Sequence, residues 1–176
     1  MDSYFYFIQI VGFFAFGLSL LSYQFKKQKT MFAIRVCSDL LWAFHYALLL
    51  AVAPALTVAV AALRTFFIVF IFPQQKIKII FLAVGIVCFL CYWSANGEWQ
   101  SYLPILAAIV YGMSNYYHDN YWYSRILMLL GLLVWILIGI VFGSYAEIIS
   151  SSVGAVFLLW SFIRHLKIDN RINTKA

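Results

Sequence analysis

MFAIRVCSDLLWAFHYALLLAV (residues 31–52) runs directly into APALTVAVAALRTFFIVFIF (residues 53–72). Each run has the roughly 20 predominantly apolar residues that a helix needs to cross a bilayer. Both are bounded by polar punctuation: Lys26-Lys27-Gln28-Lys29 before the first, Pro73 through Lys78 after the second, and a tight turn at Ala53-Pro54 between them. A proline near a helix start gives up only a backbone N–H that has no intrahelical partner. Hydrocarbon holds no water to satisfy free backbone groups, so a spanning segment is either a helix or a strand of a closed barrel. Barrel strands would show ten-residue segments of alternating polarity. Neither run alternates, so the pair reads as two antiparallel transmembrane helices.

The rest of the chain extends the pattern. Of its 176 residues 65% are hydrophobic and only 10% charged, and 17 Phe and 12 Tyr contribute to an aromatic content of 20%. A soluble domain carries about 45–50% apolar and about 25% charged residues, so an ordinary soluble fold is excluded. Further apolar stretches lie near residues 4–23, 77–95, 100–118, 122–143 and 145–163, which makes seven in all. Seven spans consume roughly 140 residues, leaving no room for a separate soluble domain. The expectation is an all-α integral membrane protein formed by a single membrane domain over residues 1–176.

Charge placement orients the helices, because cytoplasmic loops collect Lys and Arg. With the amino terminus outside, Lys26, Lys27, Lys29, Arg35, Lys76, Lys78, Arg125, Arg164, Lys167, Arg171 and Lys175 lie on or near the cytoplasmic side, whereas Asp2, Glu98 and Glu147 fall outside. Six or eight spans would scatter the basic residues over both faces. The first span starts with Asp2 and no Lys or Arg, so it is expected to be retained rather than cleaved as a signal. The tail at residues 166–176 is basic; anionic lipid at the cytoplasmic face suits it better than nucleic acid, which no other feature supports.

Weak internal likeness suggests a repeat. Gly17-Leu18-Ser19 matches Gly112-Met113-Ser114 at an offset of 95, and Leu41-Trp42 matches Val134-Trp135 at an offset of 93. The expected plan is 3+1+3: a three-helix unit over residues 1–72, a linker helix within 73–99 and a second unit over 100–165 in the same orientation. Parallel repeats of this kind place a solute site between the units near the midplane.

The informative polar residues sit inside the spans. Counted from the turn, Asp39 lies 14 residues back and Arg64 11 residues onward, depths of roughly 21 and 16 Å. A lone charge there costs at least about 2.5–3.5 kcal/mol, so an Asp39–Arg64 ion pair is expected, with Arg35, four residues from Asp39, as the competing partner. The pair reads either as a structural pin or as a site that binds or gates a polar solute. Ser38, Trp42 and His45 share one helix face by their spacing. His45 is either a proton carrier or a neutral imidazole hydrogen-bonded to a neighbouring helix. Thr57, seven residues before Arg64, presents a second polar stripe toward the same interior.

Tyr116, Tyr117, Tyr121 and Trp122 fall at the inner boundary, as an interfacial aromatic belt or a gate over a solute path. Cys88 and Cys91 have redox-motif spacing but lie in an apolar helix without the strand-to-helix context of that motif. Cys37, Cys88 and Cys91 are therefore expected to be structural. The histidines His45, His118 and His165 occupy different layers, so neither a metal nor another cofactor is expected. The last span has no Lys for a retinal Schiff base.

Taken in order, Phe44-His45-Tyr46-Ala47-Leu48-Leu49, Leu63-Arg64-Thr65, Leu103-Pro104-Ile105 and Ile163-Arg164 resemble the bacterial inner-membrane YgjV family over nearly the whole chain. The resemblance implies a polytopic inner-membrane protein in which His45, Arg64 and Arg164 occupy family positions, and it brings no substrate or reaction. The family is distantly similar to the SWEET and PQ-loop membrane proteins. A Pro-Gln pair would then be expected at the end of helix 1, where this chain has Tyr23-Gln24; its Pro73-Gln74 instead closes helix 3, so a proline-hinged motion is not supported. The leading expectation is a small-solute transporter or facilitator of the inner membrane, working on an unidentified polar solute and able to form homo-oligomers. A non-transporting membrane interaction protein is the alternative. No reacting constellation points to an enzyme.

Overall fold

The computed structural model describes residues 3–22, 24–25, 27–95, 97–117 and 120–173, the side chains at 28, 121, 161 and 164–173 excepted. Among them are seven α-helices: α1 (Ser3–Ser22), α2 (Gln28–Leu48), α3 (Val52–Phe66), α4 (Lys76–Ser94), α5 (Leu103–Tyr116), α6 (Tyr121–Val141) and α7 (Tyr145–Asn173). No strand occurs among the described residues. Four stretches are long and apolar enough to cross a membrane: Ser3–Ser22, Val52–Ile71, Pro73–Ser94 and Trp122–Val141. Of the others, α2 is interrupted by Arg35 and Asp39, and α5 is short, preceded by a 3-10 turn at Trp99–Tyr102.

Consecutive helices pack side by side, α1 also meets α7, and α3 meets α5, with α4 set against α3 and α5. A central cluster takes Ala15 from α1, Trp42 and Tyr46 from α2, Val58 from α3, Ala107 from α5, Val134 and Ile138 from α6 and Ala146 from α7. Alanine is prominent in it because small residues let helix backbones approach closely, and in lipid that packing replaces the hydrophobic effect as the driving force. The bulky apolar side chains point the other way. Phe14, Phe89, Trp93, Phe157 and Trp160 are all exposed, the reverse of a soluble protein.

The α2–α3 connection differs from the turn expected at Ala53-Pro54. Helix α2 ends at Leu48, and Leu50 takes a left-handed φ of 58°. The Ala51 amide then bonds back to the Tyr46 carbonyl at 2.9 Å, so α3 is already under way at Val52, with Pro54 inside its first turn. Helix α3 runs on as a π-helical turn at Phe67–Ile71, closed by the Phe72 amide on the Phe67 carbonyl at 2.7 Å. Thr65 Oγ1 donates to the Ala61 carbonyl at 2.9 Å, a back-bond of the kind that bends helices, just ahead of this wider turn.

A left-handed residue other than glycine carries a steric cost of about 1–2 kcal/mol, and the Leu50 side chain is 86% exposed. Leu50→Gly is therefore expected to raise the melting temperature of the purified protein by the equivalent of about 1 kcal/mol. Gly143, with φ 69°, turns α6 into α7, and Gly143→Leu is expected to lower it. A drop for Leu50→Gly would show that the leucine side chain, not the backbone, decides this turn.

Candidate functional site

Two polar regions lie at opposite ends of the bundle. The first surrounds His45, near the end where α2 finishes and α7 begins. Its Nδ1 is 2.9 Å from the Ile8 carbonyl of α1 and its Nε2 is 2.7 Å from the Ser144 hydroxyl at the start of α7. A carbonyl can only accept, so Nδ1 carries a proton; in the neutral ring Nε2 then accepts from Ser144. Ser144 Oγ accepts in turn from the Glu147 amide at 3.1 Å. From α1, Gln9 Nε2 donates to the Gly143 carbonyl at 2.9 Å and Gln9 Oε1 accepts from the Ala146 amide at 3.3 Å.

Glu147 was expected on the outer side with Asp2 and Glu98, which leaves the direction of its side chain open. It is only 8% exposed and turned into the bundle, where its carboxylate accepts from the Ser151 hydroxyl one turn on. The local reason is half a capping box. Ser144 caps the Glu147 amide, but the Ser144 amide is already spent on the Gly139 carbonyl at 2.8 Å, so the glutamate has no amide to return to and faces inward. The wholly buried Tyr46 hydroxyl lies beside Glu147 and Ser144 yet forms no hydrogen bond with either. Around these groups Trp42 meets the His45 ring edge-on with centroids 5.4 Å apart, and Tyr46 leans on Trp135 of α6 at 5.8 Å.

The shared face of Ser38, Trp42 and His45 is present, and all three are buried. Ser38 donates to the Ala15 carbonyl at 2.8 Å and accepts from Ser19 at 2.6 Å, which zips α2 to α1 through small polar side chains.

The second region corrects the expected Asp39–Arg64 pair. Asp39 Oδ1 is 3.3 Å from Arg35 Nε, one turn away on the same helix, with side-chain exposures of 13% and 40%. Arg64 acts on Asp39 electrostatically as the weaker of the two cations. Its guanidinium makes no ion pair with Asp39; it lines a cleft of about 160 Å³ together with Phe32, Thr65, Lys76, Ile80 and Asn115, with Ile68 and Val69 of the π-helical turn forming the wall. The cleft thus draws on α2, α3, α4 and α5 at the end of the bundle that carries the basic loops. Thr57 does not extend this stripe: it is buried, donates to the Ala53 carbonyl at 2.9 Å and touches Cys91 Sγ of α4 at 3.4 Å. Cys37, Cys88 and Cys91 are free thiols.

Tyr116 and Tyr117 meet edge-to-face at 5.0 Å, Tyr117 leans on Tyr123, and Trp122 stacks on Phe162 of α7 at 5.5 Å. These rings are exposed and do not line the Arg64 cleft. The side chain of Tyr121 and the whole of His118 lie outside the described residues, as do Tyr23, Lys26, Asp2 and Lys175. The described residues contain no group of three metal-ligating side chains. Gln9, Gly12, Tyr46, Ser144, Lys76 and Asn115 were not placed in either polar region from the sequence. Ser144-Tyr145-Ala146-Glu147, which follows a glycine, has capping-box spacing and was the signal available for the His45 cluster.

An all-helical chain with bulky apolar side chains outward and polar side chains paired inward is an integral membrane protein of the helical class. The Imp-YgjV family, described as bacterial inner membrane protein, matches residues 6–168, and the chain belongs to that family. Its place is accordingly the bacterial inner membrane. No curated protein and no solved structure matches it.

Gly12 makes room for the imidazole. A Cβ there would stand 2.8 Å from His45 Cε1 and 2.6 Å from the Ala146 Cβ, whereas one on Gly17 meets nothing within 4 Å. Gly12→Ala is expected to lower the melting temperature in detergent by several degrees and Gly17→Ala to leave it unchanged or raised; equal responses would mean the His45 pocket is loosely packed. Removing one partner of a buried hydrogen bond costs about 1–3 kcal/mol. A double-mutant cycle of His45→Ala and Ser144→Ala is expected to show coupling of about 1 kcal/mol, and strict additivity would refute the bond.

Proposed function

We propose that the chain is a small-solute transporter or facilitator in which all seven helices cross the membrane and the solute path runs between α1–α3 and α5–α7, with α4 as the linker. The observation that carries this reading is the Arg64 cleft. It is walled by α2 and α3 of one unit and α5 of the other, and its cation has no ion-pair or hydrogen-bond partner among the described residues.

The two-unit plan is supported by the chain's own turns. Helices α2 (Gln28–Leu48) and α6 (Tyr121–Val141) are both 21 residues long, and their ends differ by the same 93 positions. Four backbone hydrogen bonds recur at that spacing: Leu49 to His45 as Phe142 to Ile138, Leu50 to Ala47 as Gly143 to Ile140, Ala51 to Tyr46 as Ser144 to Gly139, and Ala55 to Ala51 as Ile148 to Ser144. The left-handed residues Leu50 and Gly143 correspond as well. Contacts between the units follow the same relation, α1 against α7 and α5 against α3. Parallel repeats with a site between them are the plan of sugar-transporting SWEET proteins.

With the amino terminus outside, as the basic loops favour, the His45–Ser144 and Gln9–Gly143 bonds close the outer end while the Arg64 cleft faces the cytoplasm. Such an arrangement moves a solute without making or breaking its bonds, so no catalytic role is assigned. The test is water access. With Cys37, Cys88 and Cys91 replaced, Thr65→Cys is expected to react with a membrane-impermeant maleimide in inside-out vesicles at least tenfold faster than Phe157→Cys on the exposed face of α7. Equal, slow labelling of both would take the cleft out of water and remove the path.

A further inference from the structure

The cleft has a chemical sign. Its polar lining consists of Arg64, Lys76, Thr65 and Asn115, two cations and two neutral groups, and no carboxylate contributes to it. Asp39, the acid that acts on Arg64, is already engaged by Arg35 at 3.3 Å and is not part of the lining. Thr65 Oγ1 and Asn115 Nδ2 are committed to the carbonyls of Ala61 and Tyr111, each at 2.9 Å. Each has spent one donor in this way, so the guanidinium and the ammonium are the main donors, and the only charged groups of the lining, left to meet a ligand.

Position favours the same conclusion. Arg64 stands seven residues before the end of the Val52–Ile71 span, roughly 10 Å along it, whereas Lys76 opens α4 at the boundary. Leaving a half-buried guanidinium unpaired at that depth is costly, and a bound anion would remove the cost. The volume of about 160 Å³ is many times the roughly 15 Å³ that admits one water. A guanidinium offers parallel donors that fit the oxygens of a phosphate or carboxylate, and an ammonium adds a point charge. Two cations suit the charge of about −1.5 to −2 of a phosphate monoester at neutral pH better than the single charge of a carboxylate.

We infer that the Arg64–Lys76 cleft binds a phosphate-class oxyanion, held by the Arg64 fork within the span and met by Lys76 at the mouth. This deepens the transport reading and rests on it for the cleft facing solute. A free phosphate compound and the phosphate of a lipid headgroup share this chemistry.

The full chain purified in non-ionic detergent is titrated with inorganic phosphate at constant ionic strength, with chloride as the balancing anion, and its melting temperature followed. A saturable rise is expected, with apparent affinity reduced at least tenfold in Arg64→Gln and in Lys76→Gln and unchanged in Lys78→Gln, whose side chain lies outside the lining. Arg64→Lys, which keeps the charge and loses the fork, is expected to fall between, and it serves if Arg64→Gln fails to fold. Absence of a phosphate-specific rise, or a rise untouched by both substitutions, overturns the inference. Phosphatidylglycerol in mixed micelles that competes for the same rise assigns the site to a lipid headgroup, and lack of competition assigns it to a soluble anion; the oxyanion site stands in both cases. Phosphate binding without uptake into proteoliposomes would keep the site and remove the transport reading. Uptake of a solute indifferent to phosphate and to Arg64→Gln would do the reverse.

Discussion

One imidazole holds three parts of the chain together. His45 bonds to the Ile8 carbonyl on one side and the Ser144 hydroxyl on the other, so α1, α2 and the start of α7 meet at a single ring. In water such bonds are exchangeable for solvent; inside a membrane there is little to exchange them for, and an unpaired buried group carries its full desolvation cost. Much of the surrounding sequence accommodates this ring. Gly12 gives it space, Trp42 packs perpendicular to it, and Ser144 serves both as its partner and as the cap of the last helix. Gln9 repeats the arrangement one residue along α1, bonding to Gly143 and Ala146 in the same turn.

Asp39 illustrates how local geometry decides a competition that depth alone leaves open. Asp39 and Arg64 stand at similar depths on adjacent helices, but Arg35 is one turn from Asp39 on the same helix, where residues four apart are neighbours without any helix having to move. The nearer partner wins, and Asp39 is paired while its intended partner faces a cleft. Arg35 is the more exposed of the two and reaches along the helix to Asp39. A structural pin and an open cationic wall are thus separate features of neighbouring helices rather than one shared bridge.

How much of this could be read from the chain alone follows from what each signal depends on. The seven helices depend on runs of apolar residues and on bilayer thickness, and they were legible, with the end of α2 misplaced by four residues because a leucine, not the glycine or proline that usually marks a turn, takes the left-handed conformation. The buried face of Ser38, Trp42 and His45 was legible because it needs only helical spacing. Partners were not. Ser144, 99 residues from His45, and Lys76 beside Arg64 come together through packing that spacing does not encode. The inward turn of Glu147 was not legible, because a rule about sides of a membrane says nothing about which way a side chain near the edge points. Thr57 was placed by its spacing of seven from Arg64, and spacing does not say which neighbour a residue meets; Thr57 meets Cys91 of α4.

The two lines along which the halves of the bundle touch are unlike in kind. Where α1 meets the start of α7, the contact is made by directional bonds through Gln9. Where α3 and α5 come together with α4, Ala53, Val87 and Cys91 are buried, Val60, Ile105 and Ala108 pack against them, and the directional contacts of Cys91 Sγ with Thr57 and the Ala53 carbonyl tie α3 to α4. A hydrogen bond weakens steeply once its angle or length is disturbed, while alkyl groups slide over one another at little cost. The first line is therefore held by hydrogen bonds between α1 and the start of α7, and the second is held between α3 and α5 chiefly by apolar packing. In mechanical terms one edge of the molecule is stitched and the opposite edge is mainly greased, so shear between α3 and α5 meets less resistance than shear between α1 and α7.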